Sequence, residues 1–92
     1  MAVAQVFTMS DAGPEQADRA REVLGATRQL DGCEGVLLVG NTESREAIGI
    51  ALWRDEAALE AAAAKIAGDT KEAEGMGIVV DPIKFYDLVI QY

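Results

Sequence analysis

"EAIGIALWRDEAAL", residues 46–59, changes its repeat partway along. Up to Trp53 the run is apolar and partly β-branched, of strand length, with a side chain to each face in turn. From Asp55, a residue suited to capping a helix, Leu59, Ala62/Ala63, Ile66 and then Thr70 recur at helical spacing. A strand handing over to a helix within two residues fixes a β-α unit, and the rest of the chain is read outward from it.

On the N-terminal side, "GCEGVLLVG" (32–40) reads as a strand and "NTESR" (41–45) as a polar hairpin loop leading into the strand 46–53. Further upstream, "VAQVFTM" (3–9) is a strand with Gln5 its only strongly polar residue. "SDAGP" ends that strand, and Pro14 opens a helix carrying Ala17, Ala20, Val23/Leu24, Thr27 and Leu30, with Gly32 as its stop. Downstream, Gly68-Asp69 is expected to break the second helix, with "TKEAEGMG" adding a turn or two. "IVVDPIKFYDLVIQY" (78–92) forms the last strand, which Pro82 bends or confines to an edge.

The order β-α-β-β-α-β predicts one α+β domain over residues 1–92, a ferredoxin-like split βαβ fold. Strands one and three lie centrally in its antiparallel sheet, and both helices cover one face. Strand three then divides into Ile48, Ile50 and Leu52 on one side and Ala47, Gly49, Ala51 and Trp53 on the other. A sheet with one wet face alternates polar and apolar residues. This one is apolar on both, so the open face is expected to pack against a second subunit, making a homodimer.

Composition narrows the chemistry. A net charge of −8, with lysines scattered at 65, 71 and 84, argues against nucleic acid and anionic membrane as partners. No apolar run approaches the ~18 residues of a membrane span. One cysteine and an N-terminus without a basic, cleavable leader suggest a soluble, cytoplasmic protein. The chain has no histidine, which removes Ser-His-Asp and Cys-His sites, histidine metal sites and imidazole ligation of haem iron. Acid–base work falls to Asp, Glu, Lys, Tyr or Cys.

The runs "LDGCEGVLLV", "AIGIALWRDEAALEAA" and "FYDLVIQY" resemble the antibiotic biosynthesis monooxygenase (ABM) family, part of the dimeric α/β-barrel superfamily. The G-x-x-G of Gly32 and Gly35, with the W-x-[SD]-x-x-x-L of Trp53, Asp55 and Leu59, carries most of the likeness. The resemblance implies a dimeric barrel whose subunits each keep a cavity between sheet and helices. It implies a cofactor-independent monooxygenase that acts on or binds a small aromatic compound of phenol, anthrone or quinone type, needing neither metal nor flavin. Family members of that kind place an Asn four residues before the strand-end Trp and a Tyr six after it; here those positions are Gly49 and Leu59. Haem-degrading members use an Asn, a Trp and an iron-ligating His, which fall on Gln5, Ala62 and about Glu72, so that activity is not implied.

The candidate pocket residues are therefore Trp53, Gln5, Gly49 and Leu59. Trp53 has two readings: a core anchor at the sheet–helix junction, or the wall of a pocket that the small Ala47, Gly49 and Ala51 leave open. Gln5 either faces water or is a buried amide aimed at a ligand or backbone group. Cys33 reads as a small core residue. Tyr86 falls in a dimer-packing stripe that Leu88, Ile90 and Tyr92 continue, and Asp87, on the other side, needs Arg45, Arg54 or water if it faces inward. A Tyr86–Asp87 acid–base pair is one further reading, and an isomerase or decarboxylase using Tyr86 or an acidic residue is an alternative on the same barrel. A further alternative is a non-enzymatic ligand-binding or structural dimer.

Overall fold

The computed structural model describes residues 2–87. Strand β1 (Val3–Ser10) leads through a single 3-10 turn at Pro14–Gln16 into α1 (Ala17–Arg28). The hairpin β2 (Cys33–Asn41) and β3 (Glu46–Trp53) follows, then α2 (Glu56–Ala61), α3 (Ala63–Gly75), and the short strands β4 (Val79–Val80) and β5 (Lys84–Asp87). The sheet order is β2-β3-β1-β4, with β5 also on β1, and every pairing is antiparallel. Strands one and three are central, as in a ferredoxin-like fold.

The β1–β3 register sets Gln5 opposite Ala51 and Phe7 opposite Gly49. Val3, Gln5, Phe7 and Met9 thus share the helix-facing side with Ala47, Gly49, Ala51 and Trp53. On β3 the helix-facing residues are buried, while Ile48 is exposed and Ile50 and Leu52 half-buried. The opposite face exposes Leu37, Val39, Ile48, Val79 and Tyr86. Among the described residues, no helix is long and apolar enough to cross a membrane.

Caps place the helices. The Asp55 carboxylate accepts from the Ala58 N–H at 2.9 Å, satisfying one of the first-turn donors of α2. That hydrogen bond holds the Asp55 carboxyl below its usual range. The first helix ends at Arg28 with Gln29 as its C-cap, short of the stop expected at Gly32. Gly32, at φ +83°, instead turns the chain into β2, and a Cβ there would run into the Ala58 side chain. Its carbonyl accepts from the Arg54 N–H at 2.7 Å, drawing the α1–β2 turn against the end of β3.

Three further expectations need correction. The first helix does not start at Pro14; a 3-10 turn comes first, closed by Gly13 N–H donating to Gln16 Oε1 at 2.8 Å. Gly68-Asp69 does not break the second helix. The chain slackens at Ala62 (φ −92°, ψ −2°), where α2 gives way to α3, and α3 runs through Gly68. An isolated helical Gly costs about 1 kcal/mol against Ala. A contact across it recovers part of that: Lys65 Nζ pairs with Asp69 at 2.7 Å, an i,i+4 contact. The last strand is also not continuous. Val80 pairs with Met9 but Lys84 with Val6, a one-residue slip that marks a bulge around Pro82, which has no N–H for the ladder. Thr8 Oγ1 donates to Asp81 at 2.8 Å and Asp81 N–H to the Thr8 carbonyl at 2.9 Å, anchoring the bulge. The expected run of this strand to residue 92, with Leu88, Ile90 and Tyr92, lies outside the described residues.

Candidate functional site

The helix layer meets the sheet in two different ways. At the β3–α2 end, Trp53 is fully buried among Cys33, Ala51, Ala58 and Ala62, with Leu30, Val36, Leu59 and Ile66 packed against the cluster. Alanines on α2 let the helix approach closely, and the indole fills the remaining space. Toward the other end, α1 and α3 stand away from the sheet and leave a cavity of about 410 Å³. Its floor is Gln5, Phe7 and Met9 of β1, Val36 and Leu38 of β2, and Ala47 and Ala51 of β3. Its roof is Ala20, Val23 and Leu24 of α1 with Ile66 and Ala73 of α3. An apolar volume of this size suits a ligand of a few rings.

Polar rungs span the two roof helices. Gln16 Nε2 donates to the Met76 carbonyl at 3.4 Å, and Arg19 Nε to Glu72 at 2.9 Å. Thr27 Oγ1, buried, donates to the Val23 carbonyl at 3.1 Å and lies 3.5 Å from Asp69 Oδ2. The Arg19 guanidinium holds the Glu72 carboxyl below its usual range, and Glu72 raises Arg19 in return. The two carboxylates lining the cavity, Asp69 and Glu72, are thus both paired with cations.

Loops wall one end. Ala12, Gly13 and Pro14 line it together with Asn41, the last residue of β2, and Thr42 of the hairpin loop. Asn41 Oδ1 accepts from the Glu43 and Ser44 N–H groups at 2.9 and 3.1 Å. The loops are tied by Ala12 N–H donating to the Arg45 carbonyl at 2.8 Å and by the Arg45–Glu15 ion pair, which holds the Glu15 carboxyl below its usual range. Arg45 has φ +62°, the left-handed turn that closes the hairpin.

Of the four candidate pocket residues, Gln5 alone lines the cavity. Trp53 sits beside the floor in the packed cluster, and Leu59 packs against that cluster. The space expected beside the indole at Gly49 is filled by the Phe7 ring, which a Cβ at Gly49 would strike. Two of the four are bonded to each other: Trp53 Nε1–H donates to Gln5 Oε1 at 3.1 Å, with both side chains buried. The amide oxygen therefore answers to the indole, a partner the sequence reading did not name.

Other candidates separate. Tyr86 pairs with Ala4 and so shares the open face, while Asp87 pairs with Val3 on the helix-facing side, so the two side chains do not converge. Arg45 pairs with Glu15, and Arg54 lies near Asp31 and Asp55; neither takes exposed Asp87. Cys33 is a buried free thiol in the Trp53 cluster. Of the positions aligned with haem-degrading residues, Ala62 is buried beside Trp53 and Glu72 is held by Arg19. Among the described residues, no three His, Cys, Asp or Glu side chains are grouped to hold a metal ion.

Sequence reasoning missed Phe7, Thr27, Asp69 and the Arg19–Glu72 rung as parts of this site. Only Phe7 carried a signal, an aromatic on the same strand parity as Gln5.

No family model and no curated protein matches the chain. Solved structures do. A candidate antibiotic biosynthesis monooxygenase of Deinococcus radiodurans superposes with TM-score 0.73 at 21% identity, over 100% of this chain and 96% of the other. SnoaB, a cofactor-independent oxygenase of Streptomyces nogalater, superposes as a point mutant with TM-score 0.77 at 16% identity, over 98% and 95%. Rv0793 of Mycobacterium tuberculosis gives 0.65 at 19%, over 99% and 98%. At these identities the likeness establishes an ABM-like fold: an antiparallel sheet with its helices, ferredoxin-like in topology.

Proposed function

We propose that the chain is a cofactor-independent monooxygenase-like protein that binds a small aromatic compound of phenol, anthrone or quinone type between its sheet and its α1/α3 roof. One observation carries this reading: an apolar cavity of about 410 Å³ whose floor holds one oriented amide, Gln5. The structural likeness to a cofactor-independent oxygenase supports the reaction class.

Such a pocket removes water from an anthrone-like substrate, and the Gln5 Nε2–H group donates to its oxygen, favouring the electron-rich anion. The proton lost in forming that anion goes to solvent water. The anion passes one electron to O₂, the radical and superoxide recombine at the ring carbon, and the peroxide takes a proton back. Loss of water then turns the CH₂ into C=O. One oxygen atom enters the product and the other leaves as water, so the substrate itself supplies every electron.

A second reading, binding without turnover, is favoured by the pairing of both lining carboxylates, which leaves neither as an uncompensated base. An oxygen electrode separates the two. Saturable O₂ uptake, matched mole for mole by anthrone loss, supports the oxygenase, whereas calorimetric binding of anthrone or a naphthol with no O₂ uptake leaves a binding protein. Substrate turnover under nitrogen would instead favour isomerase or decarboxylase chemistry.

The proposal includes a homodimer through the open sheet face, supported by the exposed Leu37, Val39, Ile48 and Tyr86. Sedimentation should give a dimer that Ile48→Lys converts to monomer; a wild-type monomer overturns that part.

A further inference from the structure

The Gln5–Trp53 bond fixes more than two side chains. A glutamine amide is ambivalent, with an oxygen that accepts and a nitrogen that donates, and either end can point into a pocket. An indole Nε1–H can only donate. With that N–H 3.1 Å from the amide, the oxygen must be the end that faces Trp53. A turned amide would set donor against donor inside the packed cluster.

The other end is then determined. Among the described residues, Gln5 Nε2 has no protein acceptor, and none of their enclosed side-chain nitrogens or oxygens lacks a partner. Nε2 is therefore not enclosed, and the cavity that Gln5 lines is the open space beside this residue, which as a whole is only 3% exposed. Thr27 and Thr70, the hydroxyls lining the roof, donate to the carbonyls of Val23 and Ile66 within their own helices. The floor thus presents one hydrogen-bonding function, and it is a donor.

We propose that Trp53 is a positioning residue that, without lining the cavity, locks the Gln5 amide as a donor and so selects ligands carrying an acceptor oxygen, a ketone or phenolate, at the cavity floor. The inference rests on the cavity being the ligand site. It assigns the specificity to a polarity set one residue away, since an apolar pocket of the same shape would take the corresponding hydrocarbon equally well.

The test uses three bicyclic probes of similar size: tetralin, α-tetralone, which adds an acceptor, and α-naphthylamine, which adds a donor. Affinities come from calorimetry, and NMR follows the Gln5 side-chain NH₂ signals and the single indole N–H. In the wild type, α-tetralone should bind about fivefold more tightly than tetralin, and it alone should shift the Gln5 NH₂ signals. Trp53→Phe leaves Gln5 in place but frees its amide to turn. The ketone preference should then disappear, and α-naphthylamine should gain relative to α-tetralone. A merely structural role for the indole would weaken all three probes together. Gln5→Leu keeps the indole and should also remove the ketone preference, so the test survives if Trp53→Phe does not fold. Equal wild-type binding of α-tetralone and tetralin, with the Gln5 NH₂ signals unmoved, overturns the lock alone. Failure of every probe to displace signals from cavity residues overturns the cavity reading, and this inference with it.

Discussion

The two ends of the helix–sheet layer are built from the same strands and finish differently. Around Trp53, small side chains on α2 and β3 bring helix and sheet together, and one indole fills what remains. Between α1 and α3, the long side chains Arg19, Glu72, Gln16 and Asp69 bridge the helices, and the space beneath stays open. Residue size at the helix faces, more than backbone topology, decides where this fold is solid and where it can hold a ligand. Interiors pack to near-crystalline density unless something holds the elements apart, and here polar rungs do so.

The largest effect falls at the solid end. Trp53→Ala should cost about 3–5 kcal/mol, the range for truncating a buried aromatic, because Ala58 and Ala62 are too small to collapse into the void. Chemical denaturation with an unchanged slope would measure it; a loss near zero would mean the cluster is not the core. Next comes the border between the ends. Gly49→Ala sets a methyl against the Phe7 ring and should destabilise by about 1–3 kcal/mol, or push the ring into the cavity and weaken ligand binding.

Filling the open end sharpens the contrast with the opposite sign. Ala47→Leu projects an isobutyl group from the floor into empty space. It should stabilise by about 1 kcal/mol while abolishing α-tetralone binding; unaltered binding would place the ligand elsewhere.

The smallest effect is at the rungs. Glu72 titrates below its ordinary 4.5 because of Arg19, so its contribution is present above that value and lost as pH falls through its lowered folded-state value. Exposed pairs contribute little, so Glu72→Gln should barely move the melting temperature at neutral pH. It should, however, flatten the fall in melting temperature on acidification. A variant that follows the wild-type acid profile would show that the rung does not couple to stability.

Much of this was legible along the chain. The sides of β3 follow from alternation, the start of α2 from the Asp55 cap, and the irregularity of the last strand from Pro82. Each is a local property, set within a few residues. Gly68 misled because its neighbours Lys65 and Asp69 support the helix across it, a gain that appears only once the helix is formed. Gly49 misled for a different reason. Its missing side chain looked like room for a ligand, but the strand register sets Phe7 directly opposite it.

The order of elements, the faces they present and the absence of histidine chemistry follow from the chain alone, since periodicity, caps and composition need no neighbours in space. That Gln5 and Trp53 bond to each other, that Phe7 closes the Gly49 gap, and that the cavity lies under α1 and α3 emerge in the folded molecule alone. Those outcomes depend on distances between residues as far apart in the chain as 5 and 53, set by strand register and helix stand-off together.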